Sequence, residues 1–314
     1  MRRVEFRGAR PAVVVVGDLL LDIAVATHAP LMLGSDVTGS VLLRQGGSAA
    51  AVARRLAGLR VQVRLITAVG EDELGQTLVS WLSDRGVEVH ARRLRRIPTG
   101  RVAVRVEEAG ERSFVVNRGA ACHLTPRQVP ARCFGGTDAV HLPLYSLICE
   151  PLASAARRAA ALGRKESALL SLDLSSSAEL RTYGRDRVLD LIRDLRPDVV
   201  FGNESEIQAL LGERGADLAA RLAPVVAVKR GRAGSRVVLG VQAAIDVPTI
   251  PRDVLDTTGA GDAFAAGFLA RWLRSGGRRS RAALRAAAAA GNRAAAAALI
   301  EQVEDIFGPR LRRD

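Results

Sequence analysis

The chain has 314 residues, 48% of them hydrophobic, which is ample for a large buried core and argues for a globular protein. No window reaches the roughly 18 uninterrupted apolar residues of a membrane span, and the run Ala12 to Val16 is too short for a signal segment, so a cytoplasmic protein with no membrane partner is expected. The formal charge of +13 invites a nucleic acid reading, but the basic residues are scattered and the runs at 92–96 and 310–313 carry no interleaved aromatics; a bias towards Arg and Ala, with no nucleic acid partner, is the expectation.

In chain order, residues 12–17 read as a buried strand, 47–58 as a helix, 61–70 as a strand and 71–86 as an amphipathic helix ending in glycine. From Val87 to Val116 the pattern changes to short alternating segments, VEVHARRL, GRVAVRVEE and RSFVVN, separated by turn residues, which predicts antiparallel strands. Cys122, Cys133 and Cys149 are odd in number and form no Cys-x-x-Cys, so they are expected to be buried small hydrophobes without a disulfide framework or zinc site. Alternation then resumes: strands near 138–144, 167–174, 198–203 and 224–231, helices across 150–163, near 185–194 and from Glu204, and a long Ala-rich helix over 282–298. This order predicts an α/β fold, a mostly parallel sheet flanked by helices with a small antiparallel β excursion inserted early in the chain.

The stretch DTTGAGDAFAAGF, residues 256–268, carries the chemistry. Phe264, Phe268, Leu269, Trp272 and Leu273 trace one face of a helix starting near Gly261, so Gly259, Ala260, Gly261 and Asp262 form its first turn. A first turn offers unpaired N–H groups and the positive end of the helix dipole, an anion site that small residues leave open. A carboxylate there has two explanations. Asp262 is a general base taking a proton from an acceptor hydroxyl as it attacks a phosphoryl group, or it only caps the helix.

DTTGAGDAFAAGF resembles the second signature of the ribokinase-like carbohydrate kinases, also called the phosphofructokinase B family. GDLLLDIAV (17–25), GGSAAAVARRLAGLRVQVRLITAVGEDELG (46–75) and NESE (203–206) resemble that family too and follow in its order, over about residues 12–300. No GxGxxG follows the first strand and no GxxxxGK[ST] occurs, which disfavours a dinucleotide-binding dehydrogenase and a P-loop NTPase.

The resemblance implies one kinase domain over 1–314, with lid segments at about 23–45 and 88–118 that cover the acceptor and pair with a second subunit's lid as a homodimer. It makes Asp262 the base and the backbone of Gly259, Ala260 and Gly261 the anion hole. Asn203 and Glu206 then position Mg²⁺ on ATP, where a helix-start pair of solvated residues is the plain alternative. Gly231 and Gly234 of KRGRAG line the adenine and ribose cleft, with an ordinary turn as the alternative, and Lys229 and Arg230 either touch the phosphates or form a solvated pair. Asp256 and Thr258 match positions that hold a monovalent cation in some members, with Thr258 also beside ATP.

On the acceptor side, Asp22 matches an Asp that grips two sugar hydroxyls, or else serves as a lid-hinge carboxylate. Gly46 and Gly47 let the sugar approach the backbone. Leu20, Ala51 and Ala121 stand where the family commonly carries Asn, and Tyr145 falls near a substrate-binding Glu, so its ring faces the substrate or belongs to core or surface. The expected reaction is transfer from ATP to a hydroxymethyl group of a small sugar. A nucleoside such as pseudouridine is the alternative, and a homologue that binds without catalysis is a third reading.

Overall fold

The computed structural model describes residues 10–27, 34, 36–106, 112–213, 215–240, 243–249, 259–300 and 306. The first strands are β1 (Ala12–Val16), β2 (Leu20–Thr27), β3 (Gly39–Gly46), β4 (Gln62–Gly70) and β5 (Val87–Leu94). β6 (Thr99–Val106), β7 (Arg112–Gly119), β8 (Ala139–Pro143) and β9 (Leu169–Asp173) follow. The last are β10 (Val199–Asn203), β11 (Val225–Lys229), β12 (Ser235–Leu239) and β13 (Ala243–Val247).

Nine of these strands form one sheet in the order β13-β12-β11-β10-β9-β8-β1-β4-β5. All its pairings are parallel except β11–β12 and β12–β13, so the expected mostly parallel sheet is present with an antiparallel edge. Val13 to Val16 are wholly buried, as a strand covered on both faces requires. One face packs against α3 (Leu152–Lys165), α5 (Arg185–Leu195) and α6 (Glu204–Leu211), the other against α1 (Ser48–Gly58), α2 (Glu73–Ser83), α8 (Ala260–Arg274) and α9 (Arg281–Ala298). The short helices α4 (Ser177–Tyr183) and α7 (Gly215–Leu218) complete the set among the described residues.

The aromatic stripe expected on α8 is buried: Phe264, Phe268 and Trp272 stack in succession, and Phe201 of β10 meets Phe268 edge to face at 5.2 Å between ring centroids. Burial of each such ring contributes about 1.5–3 kcal/mol, which fixes α8 to the sheet and with it the position of its first turn.

A second sheet, in the order β3-β2-β6-β7, combines two antiparallel pairs through a parallel β2–β6 contact. One expectation is corrected here. Val87–Leu94, read as an antiparallel lid strand, pairs parallel with β4 at the edge of the large sheet. Its alternation arises because Val87, Val89 and Ala91 pack on the core while the other face meets solvent. A second correction concerns the cysteines. Cys122 and Cys149 are disulfide-bonded, with Cα atoms 6.1 Å apart, whereas Cys133 is free and buried as expected. Packing of the turn after β7 against the turn before α3 brings the pair together, and a separation of 27 residues in sequence gives no hint of it.

Candidate active site

The described candidate residues gather at the carboxyl ends of the parallel strands, where open α/β sheets bind ligands. Asp18 follows β1 and Tyr145 follows β8, while Asp173, Asn203 and Lys229 close β9, β10 and β11. The first turn of α8 faces this edge. Gly259, its N-cap, has φ +74°, a left-handed conformation that glycine adopts without strain, and Ala260, Gly261 and Asp262 follow.

Ser48, the first residue of α1, donates its hydroxyl to Asp262 Oδ1 at 2.7 Å. Residues 214 positions apart thus meet, and Gly46 and Gly47 are brought beside the acid. Burial raises the Asp262 carboxyl to about 7, and the negative Asp173 adds to the rise, while the Ser48 bond, Lys229 and Arg55 oppose it. An acid held there is half ionised near neutral pH and able to accept a proton.

Asn203 and Glu206 form a capping box at the start of α6. Asn203 Oδ1 accepts from the Glu206 N–H at 2.8 Å, and Glu206 accepts from the Asn203 N–H at 2.8 Å and from its Nδ2 at 2.9 Å. Ser205 also donates to Asn203 Oδ1, at 2.7 Å. Glu206 is buried, which raises its carboxyl against the pull of Lys229. Among the described residues no three His, Cys, Asp or Glu side chains could hold a metal ion. Each Glu206 oxygen keeps an unused lone pair, a donor set that fits a hydrated Mg²⁺ held through its waters and not a stripped ion.

Lys229 is not the solvated residue that sequence allowed. Its side chain is 15% exposed and its Nζ donates to Asp173 at 3.1 and 3.3 Å. Burial would lower its ammonium, but Asp173, Glu206 and Asp262 outweigh that and raise it. Arg230 instead turns away, pairing with Glu204 at 3.0 Å and Asp246 at 3.1 Å. Gly231 and Gly234 form the β11–β12 turn, in which Arg230 N–H donates to Gly234 O at 2.8 Å. Asp256 and Thr258 lie outside the described residues.

On the acceptor side, Asp22 of β2 lies against Gly46, where any side chain would collide with its carboxylate. Burial raises Asp22 to about 6 against the opposing charge of Arg44. Leu20 and Ala121 are buried together with Val102 and Val104, so two of the positions without an amide form an apolar base for the small sheet. Tyr145 is partly buried, its hydroxyl is hydrogen-bonded to Ser176, and burial raises its phenol, with Glu179, Asp262 and Glu206 adding to the rise. The ring thus stands within electrostatic reach of Asp262 and Glu206.

Three residues were missed by sequence reasoning. Arg118, at the end of β7, grips Asp18 with two bonds of 2.9 and 2.6 Å and donates to the carbonyl of Tyr145 at 2.8 Å. Asp18 sits inside GDLLLDIAV and Arg118 just before the GA of residues 119–120, but nothing in their spacing marks them as partners. Asp173 is the third, an acid at a strand end whose partner Lys229 lies 56 residues away.

The sheet order brings a helix N-terminus and a buried carboxylate together at the carboxyl edge of the parallel strands. The pattern of the pfkB family carbohydrate kinases matches residues 10–305. The chain is 35% identical over 238 residues, 74% of each protein, to an ATP-dependent ribose-1-phosphate kinase of Halopiger xanaduensis. It is 30% identical to a fructokinase of Klebsiella pneumoniae, covering 82% of both. The crystal structure of adenosine kinase from Sinorhizobium meliloti superposes with a TM-score of 0.81 at 25% identity, over 95% of this chain and 98% of that one. The chain belongs to the pfkB family of carbohydrate kinases, and it is a sugar or nucleoside kinase acting on an alcohol group.

Proposed function

We propose that the chain transfers the γ-phosphoryl group of ATP to a hydroxymethyl group of a small sugar. The observation that carries this reading is the Ser48–Asp262 bond, because it joins the acceptor-side glycines to the phosphoryl-side helix in one cleft. Asp22 grips hydroxyls of the acceptor beside Gly46 and Gly47, and Asp262 takes the proton of the attacking hydroxyl. The N–H groups of Gly259, Ala260 and Gly261 receive the charge that develops on the transferring group. Gly231 and Gly234, in the β11–β12 turn, line the nucleotide side. Asn203 and Glu206 would hold a hydrated Mg²⁺, which would supply charge neutralisation on the ATP phosphates.

A nucleoside is the second reading. The Tyr145 ring, within electrostatic reach of Asp262, and the apolar cluster of Leu20 and Ala121 favour it, because a base offers a face for stacking where a free pentose offers hydroxyls. A screen of MgATP with ribose, fructose, ribose 1-phosphate, adenosine, cytidine and pseudouridine decides between the two. Turnover of sugars alone rejects the nucleoside, and turnover of nucleosides alone rejects the sugar.

The lid sheet supports a homodimer. Val41 and Leu42 on β3 and Phe114, Val115 and Val116 on β7 are exposed on its two edge strands, and exposed apolar edges invite a partner.

A further inference from the structure

We infer that Lys229 is a catalytic cation: its ammonium contacts the transferring phosphoryl group at the start of α8, and Asp173 is the positioning residue that aims it there. This rests on the kinase reading of Asp262 and the α8 turn given above.

Three observations point the same way. First, Lys229 closes β11 directly beside Asn203 of β10, at the strand edge where the cleft opens. From there it reaches across to Asp173, and its Nζ lies 3.2 Å from where a Cβ on Gly261 would stand. The ammonium therefore rests on the turn that presents Gly259, Ala260 and Gly261.

Second, the electrostatics of that position favour an anion. The N-terminus of α8 carries the positive end of the helix dipole, and cations are disfavoured there. An ammonium and the open N–H groups of a helix start, aimed at one region, repel each other until a negative group stands between them. Asp173, Glu206 and Asp262 keep Lys229 charged, so its ammonium presents a full positive charge beside the α8 turn. A buried ion pair is also weak evidence for stability, because desolvation offsets most of the attraction, so the Lys229–Asp173 pair calls for another explanation.

Third, the residue type is exceptional. Only Lys165 and Lys229 are lysines among 46 basic residues. A guanidinium is a broad planar fork, whereas an ammonium is a compact point charge that fits between Gly261 and Asp173. The site thus keeps a lysine in a chain that uses arginine nearly everywhere else.

In the step itself the acceptor oxygen forms its bond to phosphorus as the bond from phosphorus to the bridging oxygen of ADP breaks, its electron pair leaving with ADP. The hydroxyl proton passes to Asp262. Lys229 neither gives nor takes a proton; it meets the negative charge on the phosphoryl oxygens throughout.

The test compares Lys229→Met with the double variant Lys229→Met/Asp173→Asn, using MgATP and those acceptors from the screen that the parent protein turns over. The single variant leaves Asp173 buried without its counter-ion, holding only the Ser175 N–H, and is expected to lose thermal stability, which the double variant regains by removing the stranded charge. Both are expected to lose about 10²–10³-fold in kcat with acceptor KM changed less than about threefold, the loss typical of removing one group that meets developing charge. A folded double variant with kcat within about fivefold of the parent would overturn the inference, because Lys229 would then serve only to neutralise Asp173. Asp262→Asn run alongside keeps the two readings apart: near-normal turnover in that variant sinks the placement of the base, whatever Lys229 does.

Discussion

Replacing Asp262 by Asn should abolish turnover and at the same time stabilise the protein at alkaline pH. Burial first, then the charge of Asp173, raises this carboxyl from an ordinary 3.8 to about 7. The folded state therefore holds the proton more tightly than the unfolded chain does. By linkage, the contribution of Asp262 to stability is fully present below about pH 4 and is lost as the pH climbs through 7. A shift of about 3 units at 1.36 kcal/mol each sets a ceiling of about 4 kcal/mol. Partial exposure of the side chain reduces the effect to about 1–3 kcal/mol. Asn keeps the shape and carries no charge, so urea melts of parent and variant at pH 8 should differ by that amount in favour of the variant and converge towards pH 4. A variant no more stable than the parent at pH 8 would refute the claim that the fold holds a desolvated carboxylate here, and with it the physical basis for a base poised near neutrality.

The profile of kcat/KM should rise with an apparent pKa of about 7, so that activity at pH 5 falls to about one hundredth of its plateau. Asp173→Asn should move that limb to lower pH, since the Asp173 charge helps to raise Asp262, and a limb that stays in place would remove Asp173 from the site. Arg118→Met should cost about 3–5 kcal/mol in chemical denaturation, because it leaves Asp18 buried and unpaired, and should raise the acceptor KM by freeing the Tyr145 turn. Size-exclusion chromatography with light scattering should return a dimer's mass for the parent and a monomer's for Val115→Lys, which places a charge on the exposed edge strand β7 of the small sheet.

Much of this architecture was legible because strands buried on both faces read as apolar runs. Val13–Val16 and Val225–Val228 declare themselves without ambiguity. The edge strand Val87–Leu94 did not, since period-two alternation reports one wet face and says nothing about the direction of the neighbouring strand. The candidate site was legible where residue type and local conformation coincide, as at Gly259 to Asp262 and in the Asn203–Glu206 box. It was illegible wherever a role depends on a partner remote in sequence. Nothing near Lys229 announces Asp173, nothing near Asp18 announces Arg118, and Cys122 gives no sign of Cys149. Burial of an ion pair is a property of the folded contact, so the two members look like any solvated charges until the chain is closed.

Arg118 takes hold of residue 145 through the carbonyl oxygen and leaves the identity of the side chain out of the bond. The main chain at that corner is thus moored to the end of β7 by a contact that any amino acid other than a misfitting proline would preserve. A substitution at position 145 therefore exchanges the ring and its bond to Ser176 while the main chain of that turn keeps its hold on Arg118.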